Sequence, residues 1–179
     1  METTIIISYF LVSVLGVLTH FFHKWLRKGL LVHIFSAINE SVWEHMKLAF
    51  YPMSLMMLIH ALLPGFYFEG YWGIAFITVM AATMLIPLLY YPIRTLVGRE
   101  IPAISISLYF VCILIAFVLE YQLLNNRITA IDHDLAIVLI LIMFSLFALF
   151  TYFPPRLEMF KDPIYRKYGE FKQPFDKKK

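Results

Sequence analysis

Long apolar runs recur along the chain, and each is long enough, or nearly so, to form a membrane-spanning helix. Such a helix needs about 20 mostly apolar residues. Five runs approach this length: residues 3–22, 48–63 (extended backward by Val42 and Trp43), 71–93, 101–119 and 135–153. The pattern predicts an all-α protein, a polytopic transmembrane helix bundle with five spans.

The polar pieces between these runs are too short to form a second folded domain. We therefore predict a single transmembrane bundle over residues 1–155, followed by a basic and aromatic tail over residues 156–179. In the tail, aromatic and basic residues alternate, as in Phe160-Lys161 and Phe171-Lys172. This alternation is typical of a segment on the membrane surface, where the basic side chains contact anionic lipids.

Composition excludes several other classes of protein. The 179 residues are 61% hydrophobic and 15% charged, whereas a soluble domain has about 45–50% apolar and 25% charged residues. A net charge of +3, spread along the chain, is too small for a nucleic-acid-binding surface. The single cysteine, Cys112, excludes a disulfide framework and a cysteine-based zinc site.

The basic residues predict the orientation in the membrane. Fourteen of the 15 Lys and Arg residues fall in the pieces 24–47 and 94–100 and in the tail, which a five-span bundle places on one side. Arg127 alone falls on the other side. Since cytoplasmic loops carry the excess of Lys and Arg, we expect the N-terminus outside and the C-terminal tail in the cytoplasm.

Ionisable residues at membrane depth are functional candidates, because a charge there costs about 2.5–3.5 kcal/mol on insertion scales. His20 and His23 lie one helical turn apart at the inner end of the first span. Residues 39–45 lie on the same side of the membrane and begin the helix that leads into the second span, with Ser36 or Asn39 as its expected cap. The predicted binding residues are His20, His23, Asn39, Glu40, Glu44 and His45.

Glu40 and Glu44 fall on one stripe of this helix and repel each other at a spacing of four residues. A nearby positive charge should offset this repulsion, and it could come from Lys47, from a bound cation or from an added proton. Because imidazole and carboxylate suit zinc, iron or manganese, we assign a divalent metal to His20, Glu44 and His45. We expect Glu44→Gln and His45→Ala to remove function, and Glu40→Gln to matter less.

A second polar group is predicted at the outer side. Glu120 is expected at the outer end of the fourth span, followed by a solvated loop up to Asp134. His60, near the outer end of the second span, is placed to face Glu120 across the bundle.

Three functions remain open from these residues. The first is membrane-embedded binding or transport of a small solute or ion, for which prolines at 52, 87 and 92 provide kinked spans. The second is an intramembrane metal-dependent hydrolase or lipid-modifying enzyme. The third is a scaffold subunit without chemistry. A homo-oligomer or a membrane partner subunit fits each of them.

Several segments carry a resemblance to a known family. They are Thr19-His20-Phe21-Phe22, the run Asn39-Glu40-Ser41-Val42-Trp43-Glu44-His45, Tyr51-Pro52-Met53 and Phe153-Pro154-Pro155. Together they resemble an uncharacterised family of small bacterial multi-span membrane proteins. The resemblance implies a multi-pass protein of the bacterial cytoplasmic membrane and brings no substrate, activity or cofactor with it.

Overall fold

The computed structural model describes residues 1–26, 29–99, 101–129 and 131–170, and these ranges contain six α-helices and no β-strand. The helices are α1 (Glu2–Trp25), α2 (Leu30–Phe35), α3 (Val42–Leu62), α4 (Tyr71–Val97), α5 (Pro102–Asn126) and α6 (His133–Tyr152), followed by a 3-10 turn at Glu158–Phe160. Each predicted apolar run lies mainly within one of the five long helices, which confirms the all-α prediction. The short α2 was not predicted.

Two helix ends differ from the sequence prediction. The cap of α3 is Ser41, whose Oγ accepts a hydrogen bond from the backbone N–H of Glu44 at 3.4 Å. Helix α5 continues to Asn126, so the prediction that a loop follows Glu120 was wrong. The helix extends because Leu124, only 4% exposed, still packs into the core beyond Glu120.

Helix α3 lies at the centre of the bundle. Fourteen of its 21 residues are buried, including Glu44, Lys47 and His60. Helices α1 and α4 pack directly against it, and α4 also packs against α5 and α6. Near its N-terminus, Trp43 packs against Phe147 of α6 with ring centroids 4.5 Å apart. A helix enclosed in this way can carry polar side chains that a lipid-facing helix cannot.

Four helices, α1, α4, α5 and α6, are long and apolar enough to cross a membrane. Their outer faces expose large apolar side chains, such as Phe10, Leu88 and Leu141. Exposed apolar area on this scale is rare in a soluble monomer. Helix α3 is not among the four, because Glu44, Lys47 and two histidines lower its hydropathy. The described residues thus form four helices that could span a membrane and a fifth long helix, α3, that is more polar.

A close helix crossing fixes α1 against its neighbours at Gly16. The Tyr109 hydroxyl of α5 reaches across this point and donates to the carbonyl oxygens of Val12, at 3.2 Å, and Leu48, at 3.4 Å. A Cβ at position 16 would collide with that hydroxyl and lie 2.7 Å from the Leu48 carbonyl oxygen. Glycine is therefore required where α1, α3 and α5 meet.

The chain folds back after α6 and packs on the N-terminal end of α3. Phe160 is 4% exposed, and its ring lies 4.7 Å from that of Trp43 and 5.5 Å from that of Phe150. The part of the predicted tail from 156 to 170 is thus packed on the bundle. Residues 171–179, which include Phe171 and Lys172, lie outside the described residues.

Candidate functional site

The candidate site is built on the loop of residues 36–41, which joins α2 to α3. Asn39 shapes this loop, because its Oδ1 accepts a hydrogen bond from the Ser41 backbone N–H at 2.8 Å. Its Nδ2 donates to the Gly169 carbonyl oxygen at 3.0 Å. Asn39, one of the predicted binding residues, is 4% exposed and joins the loop to the C-terminal segment.

Asp162 is the second connection between the loop and the C-terminal segment. Its fully buried carboxylate accepts the Glu40 backbone N–H through Oδ2 at 3.0 Å. The other oxygen, Oδ1, accepts the backbone N–H groups of Ile164 and Tyr165, both at 2.8 Å. Asp162 therefore fixes the backbone at Glu40 from a position 122 residues further along the chain.

Three predicted residues converge beside this loop. The Nε2 atom of His20, on α1, lies 3.8 Å from Glu40 Oε1, and His45 Nε2, on α3, lies 3.5 Å from Glu40 Oε2. One ligand atom from each of the three residues falls within 4.8 Å of the other two. The side chains are 22–31% exposed, so the group opens to the surface of the bundle.

The hydrogen bond at the other nitrogen of His45 sets the tautomer of its ring. His45 Nδ1 lies 2.9 Å from the Ser41 carbonyl oxygen. Because a carbonyl can only accept, Nδ1 carries the hydrogen, and the Nε2 of a neutral ring presents a lone pair toward Glu40. Metal-binding histidines are usually held in this way, with the second nitrogen donating to a carbonyl or carboxylate. A cation or a proton between this lone pair and the carboxylate would stabilise both groups.

Glu44 does not face the two histidines, which differs from the predicted metal set. Its Oε2 lies 2.6 Å from Lys47 Nζ and accepts the Ile38 backbone N–H at 3.0 Å. Lys47 also donates to the His33 carbonyl oxygen at 3.0 Å and to Thr151 Oγ1 at 2.9 Å. Lys47 therefore supplies the positive charge beside Glu44. It is one of the three sources of positive charge that the sequence analysis named. Glu40 supplies the carboxylate beside the histidines.

His23 is also separate from the His20, Glu40 and His45 group. Its ring packs against that of His33 in α2, with centroids 5.0 Å apart. His33 Nδ1 in turn lies 3.8 Å from Glu170 Oε2. His20 and His23, one helical turn apart on α1, thus have different neighbours: Glu40 and His45 around His20, and His33 around His23.

Asp162 was missed because the sequence placed it in a membrane-surface tail. The signal that was available is the dipeptide Asp162-Pro163, since Asp-Pro favours the start of a turn. The structure has that turn, closed by a hydrogen bond from the Arg166 backbone N–H to the Asp162 carbonyl oxygen at 2.8 Å. A turn signal does not reveal that the same carboxylate reaches the Glu40 backbone.

An apolar groove of about 680 Å³ lies on the bundle next to the site. It is lined by α1, α2, α3 and α6 together with Trp72 of α4, and its wall includes Thr19, the residue before His20. Tyr51 and Ser54 of α3 also line it, and their hydroxyl groups have no hydrogen-bond partner within the described part of the protein. The groove thus combines a long apolar wall with two buried hydroxyls.

These features define a helical, apolar protein of the membrane class with a His/Glu group at one end of the bundle. The chain belongs to a family of unknown function, DUF6512, which matches residues 1–170. The matched region includes every helix and the C-terminal segment that holds Glu40. Comparisons with curated proteins and with solved structures found no match.

Proposed function

We propose that this protein is a five-span protein of the bacterial cytoplasmic membrane that binds a divalent metal ion at its cytoplasmic face, as cargo for transport. The observation that carries the proposal is the convergence of His20, Glu40 and His45. Helix α3 is the fifth span in this proposal. The N-terminus lies outside and the C-terminal segment lies in the cytoplasm, in accord with the bias of Lys and Arg along the sequence.

The spacing of the three residues suits a small metal ion. Ligand atoms bound tetrahedrally at 2.0–2.1 Å lie about 3.3 Å from one another. Each histidine Nε2 faces its own Glu40 oxygen, His20 toward Oε1 at 3.8 Å and His45 toward Oε2 at 3.5 Å, and one ligand atom from each residue lies within 4.8 Å of the other two. Small side-chain rotations would therefore bring the three ligand atoms to that spacing. Two imidazoles and a carboxylate fit zinc, iron(II) or manganese, and leave further coordination positions for water or a solute.

Metal analysis of the purified protein tests the binding step. Protein loaded with zinc, manganese or iron(II) and then desalted should retain about one ion. Because Glu40 and His45 would each supply one of three ligands, Glu40→Gln and His45→Ala should each weaken binding by more than the roughly 10–100-fold that loss of a supporting contact costs. His133→Ala, at the opposite end of the bundle, is the matched control and should bind as the wild type does. Metal-free wild-type protein after loading would refute the site.

This geometry reverses the relative effects that the sequence predicted for substitutions at Glu40 and Glu44. Glu40→Gln now has the larger expected effect on binding, because its carboxylate faces both histidines. Glu44→Gln should act on stability through Lys47.

Transport is tested in liposomes that contain the protein and a metal-sensitive dye. Wild-type protein should admit the bound metal faster than the His45→Ala variant, with equal amounts of protein inserted. Equal rates for the two would leave a binding protein and refute transport.

The apolar groove favours a second candidate, a metal-dependent enzyme that acts on lipids. A groove of about 680 Å³ has room for an acyl chain, and Thr19 on its wall adjoins His20. If this function is correct, liposomes incubated with the metal-loaded protein should yield new lipid products by mass spectrometry. The products should be lost with a chelator and with His45→Ala. Intact lipids would eliminate this candidate.

A further inference from the structure

A hydrogen-bonded chain of three polar side chains crosses the other half of the bundle. Ser8 Oγ of α1 lies 2.7 Å from His60 Nε2 of α3, and His60 Nδ1 lies 2.8 Å from Glu120 Oε1 of α5. The predicted contact between His60 and Glu120 is thereby confirmed. The chain also includes Ser8, which the sequence did not single out.

All three side chains are removed from solvent. Ser8 is 3% exposed, and His60 and Glu120 are fully buried. The centroid of the His60 ring lies 4.5 Å from that of Phe66 and 6.4 Å from that of Phe117. The surroundings of the pair are therefore apolar.

Glu120 has one ion-pair partner among the described residues, His60. Its second oxygen, Oε2, has no hydrogen-bond partner in the same part of the chain. From α4, the titratable group that faces the pair is Tyr71. Its phenol carries no positive charge, and its hydroxyl donates to the Met57 carbonyl oxygen at 2.7 Å.

The charge of the pair depends on one proton. An ionised Glu120 beside a neutral His60 would leave a net negative charge in an apolar interior, at a cost of about 2.5–3.5 kcal/mol on insertion scales. One added proton makes the pair neutral, whether it resides on the imidazole or on the carboxyl group. The two forms differ by a proton shift along a 2.8 Å contact and need no movement of heavier atoms.

We propose that Ser8, His60 and Glu120 form an intramembrane proton-binding site, separate from the His20, Glu40 and His45 group. One proton is held by the His60–Glu120 pair and exchanges with water at the outer end of the bundle. The proton shifts only between His60 Nδ1 and Glu120, so Nε2 keeps its hydrogen and donates to Ser8 Oγ in either form of the pair.

A short distance connects the pair to the surface. Ser8 follows Glu2 by six residues, which is about 9 Å along a helix. Glu2 Oε1 accepts a hydrogen bond from the exposed Tyr121 hydroxyl at 2.6 Å, and Tyr121 adjoins Glu120 in sequence. An exposed carboxylate and the buried pair thus lie at the same end of α1, which gives protons an entry point.

Infrared and NMR spectroscopy of the protein in lipid nanodiscs test the proposal. Infrared spectra detect a proton on Glu120 through its carboxyl C=O stretch, and ¹⁵N spectra distinguish a His60 ring with hydrogens on both nitrogens from a neutral ring with one. At every pH between about 5 and 8, one of the two signals should show the bound proton. Transfer to D₂O should shift that signal within minutes, without unfolding.

Variants assign the signals and provide the control. Glu120→Gln should remove the infrared band, and Ser8→Ala should change the balance between the two signals. Ser13→Ala is the matched control, since Ser13 is also buried in α1 but its hydroxyl has no hydrogen-bond partner in the described residues. It should leave both signals unchanged, as should His45→Ala, so failure of the metal site would not affect this result.

Two results would overturn the proposal. In the first, Glu120 is ionised and His60 is neutral at every pH tested. In the second, the proton is present but does not exchange for a day in folded protein, so that the three residues only join α1, α3 and α5. If Glu120→Gln does not insert, the ¹⁵N signals of the wild type and of Ser8→Ala still decide between these outcomes.

Discussion

The buried ion pair of Glu44 and Lys47 supplies the sharpest test of how the bundle is held together. The side chains are 3% and 0% exposed, and the ammonium group has three hydrogens for its three acceptors. Glu44→Gln keeps the shape but removes the negative charge. Because an unpaired charge then remains in the interior, we expect a loss of about 3–5 kcal/mol in the free energy of unfolding.

This loss is large enough to measure by thermal unfolding in detergent. For a chain of this size 1 kcal/mol corresponds to about 2–4 °C, so the expected fall in Tm is about 6–20 °C. Lys47→Met should be destabilising for the complementary reason. The double variant Glu44→Gln/Lys47→Met should be less destabilised than the sum of the two single variants, because no unpaired charge is left.

A matched control exists elsewhere in the chain. Glu158 and Lys161 have the same spacing of three residues and an ion-pair distance of 3.5 Å, but Glu158 is 60% exposed. Glu158→Gln should therefore change stability by at most about 1 kcal/mol. A Glu44→Gln protein within 1 kcal/mol of wild type, or single-variant losses that simply add in the double variant, would refute the argument from buried charge.

Three further predictions follow from the fold. Gly16→Ala should destabilise the bundle by about 1–3 kcal/mol through overpacking at the α1 crossing, whereas Val14→Ala on the exposed side of α1 should cost less; equal thermal shifts would contradict the packing argument. Asp162→Asn should weaken metal binding about 10–100-fold, as loss of a supporting contact does, with little change in the amount of folded protein; unchanged affinity by calorimetry would show that Glu40 needs no such support. Reporter fusions should be external at Asn126 and cytoplasmic at Arg99, and the reverse result would invert the proposed orientation.

Local sequence patterns account for the helices but not for every helix end. Runs of about 20 apolar residues can satisfy their backbone groups in a membrane only as helices, so five long helices were predictable from composition and period. Helix α5 extends past Glu120 because Leu124 finds a place in the core. The position of this helix end depends on packing between helices that are distant in sequence, and the local sequence pattern near residue 120 does not reveal it.

For the candidate site, too, the sequence predicted some features and the tertiary structure decided the others. The sequence alone predicted that His20, Glu40 and His45 lie at the same end of the helix bundle, and that Glu40 and Glu44 need a counter-charge. Only the tertiary structure decided which carboxylate faces the histidines. The choice depends on Lys47, which pairs with Glu44 in the interior, and on Asp162, which holds the Glu40 backbone from the far end of the chain. Burial decides which ionisable groups must pair, and burial is a property of the packed helices rather than of the spacing within any one of them.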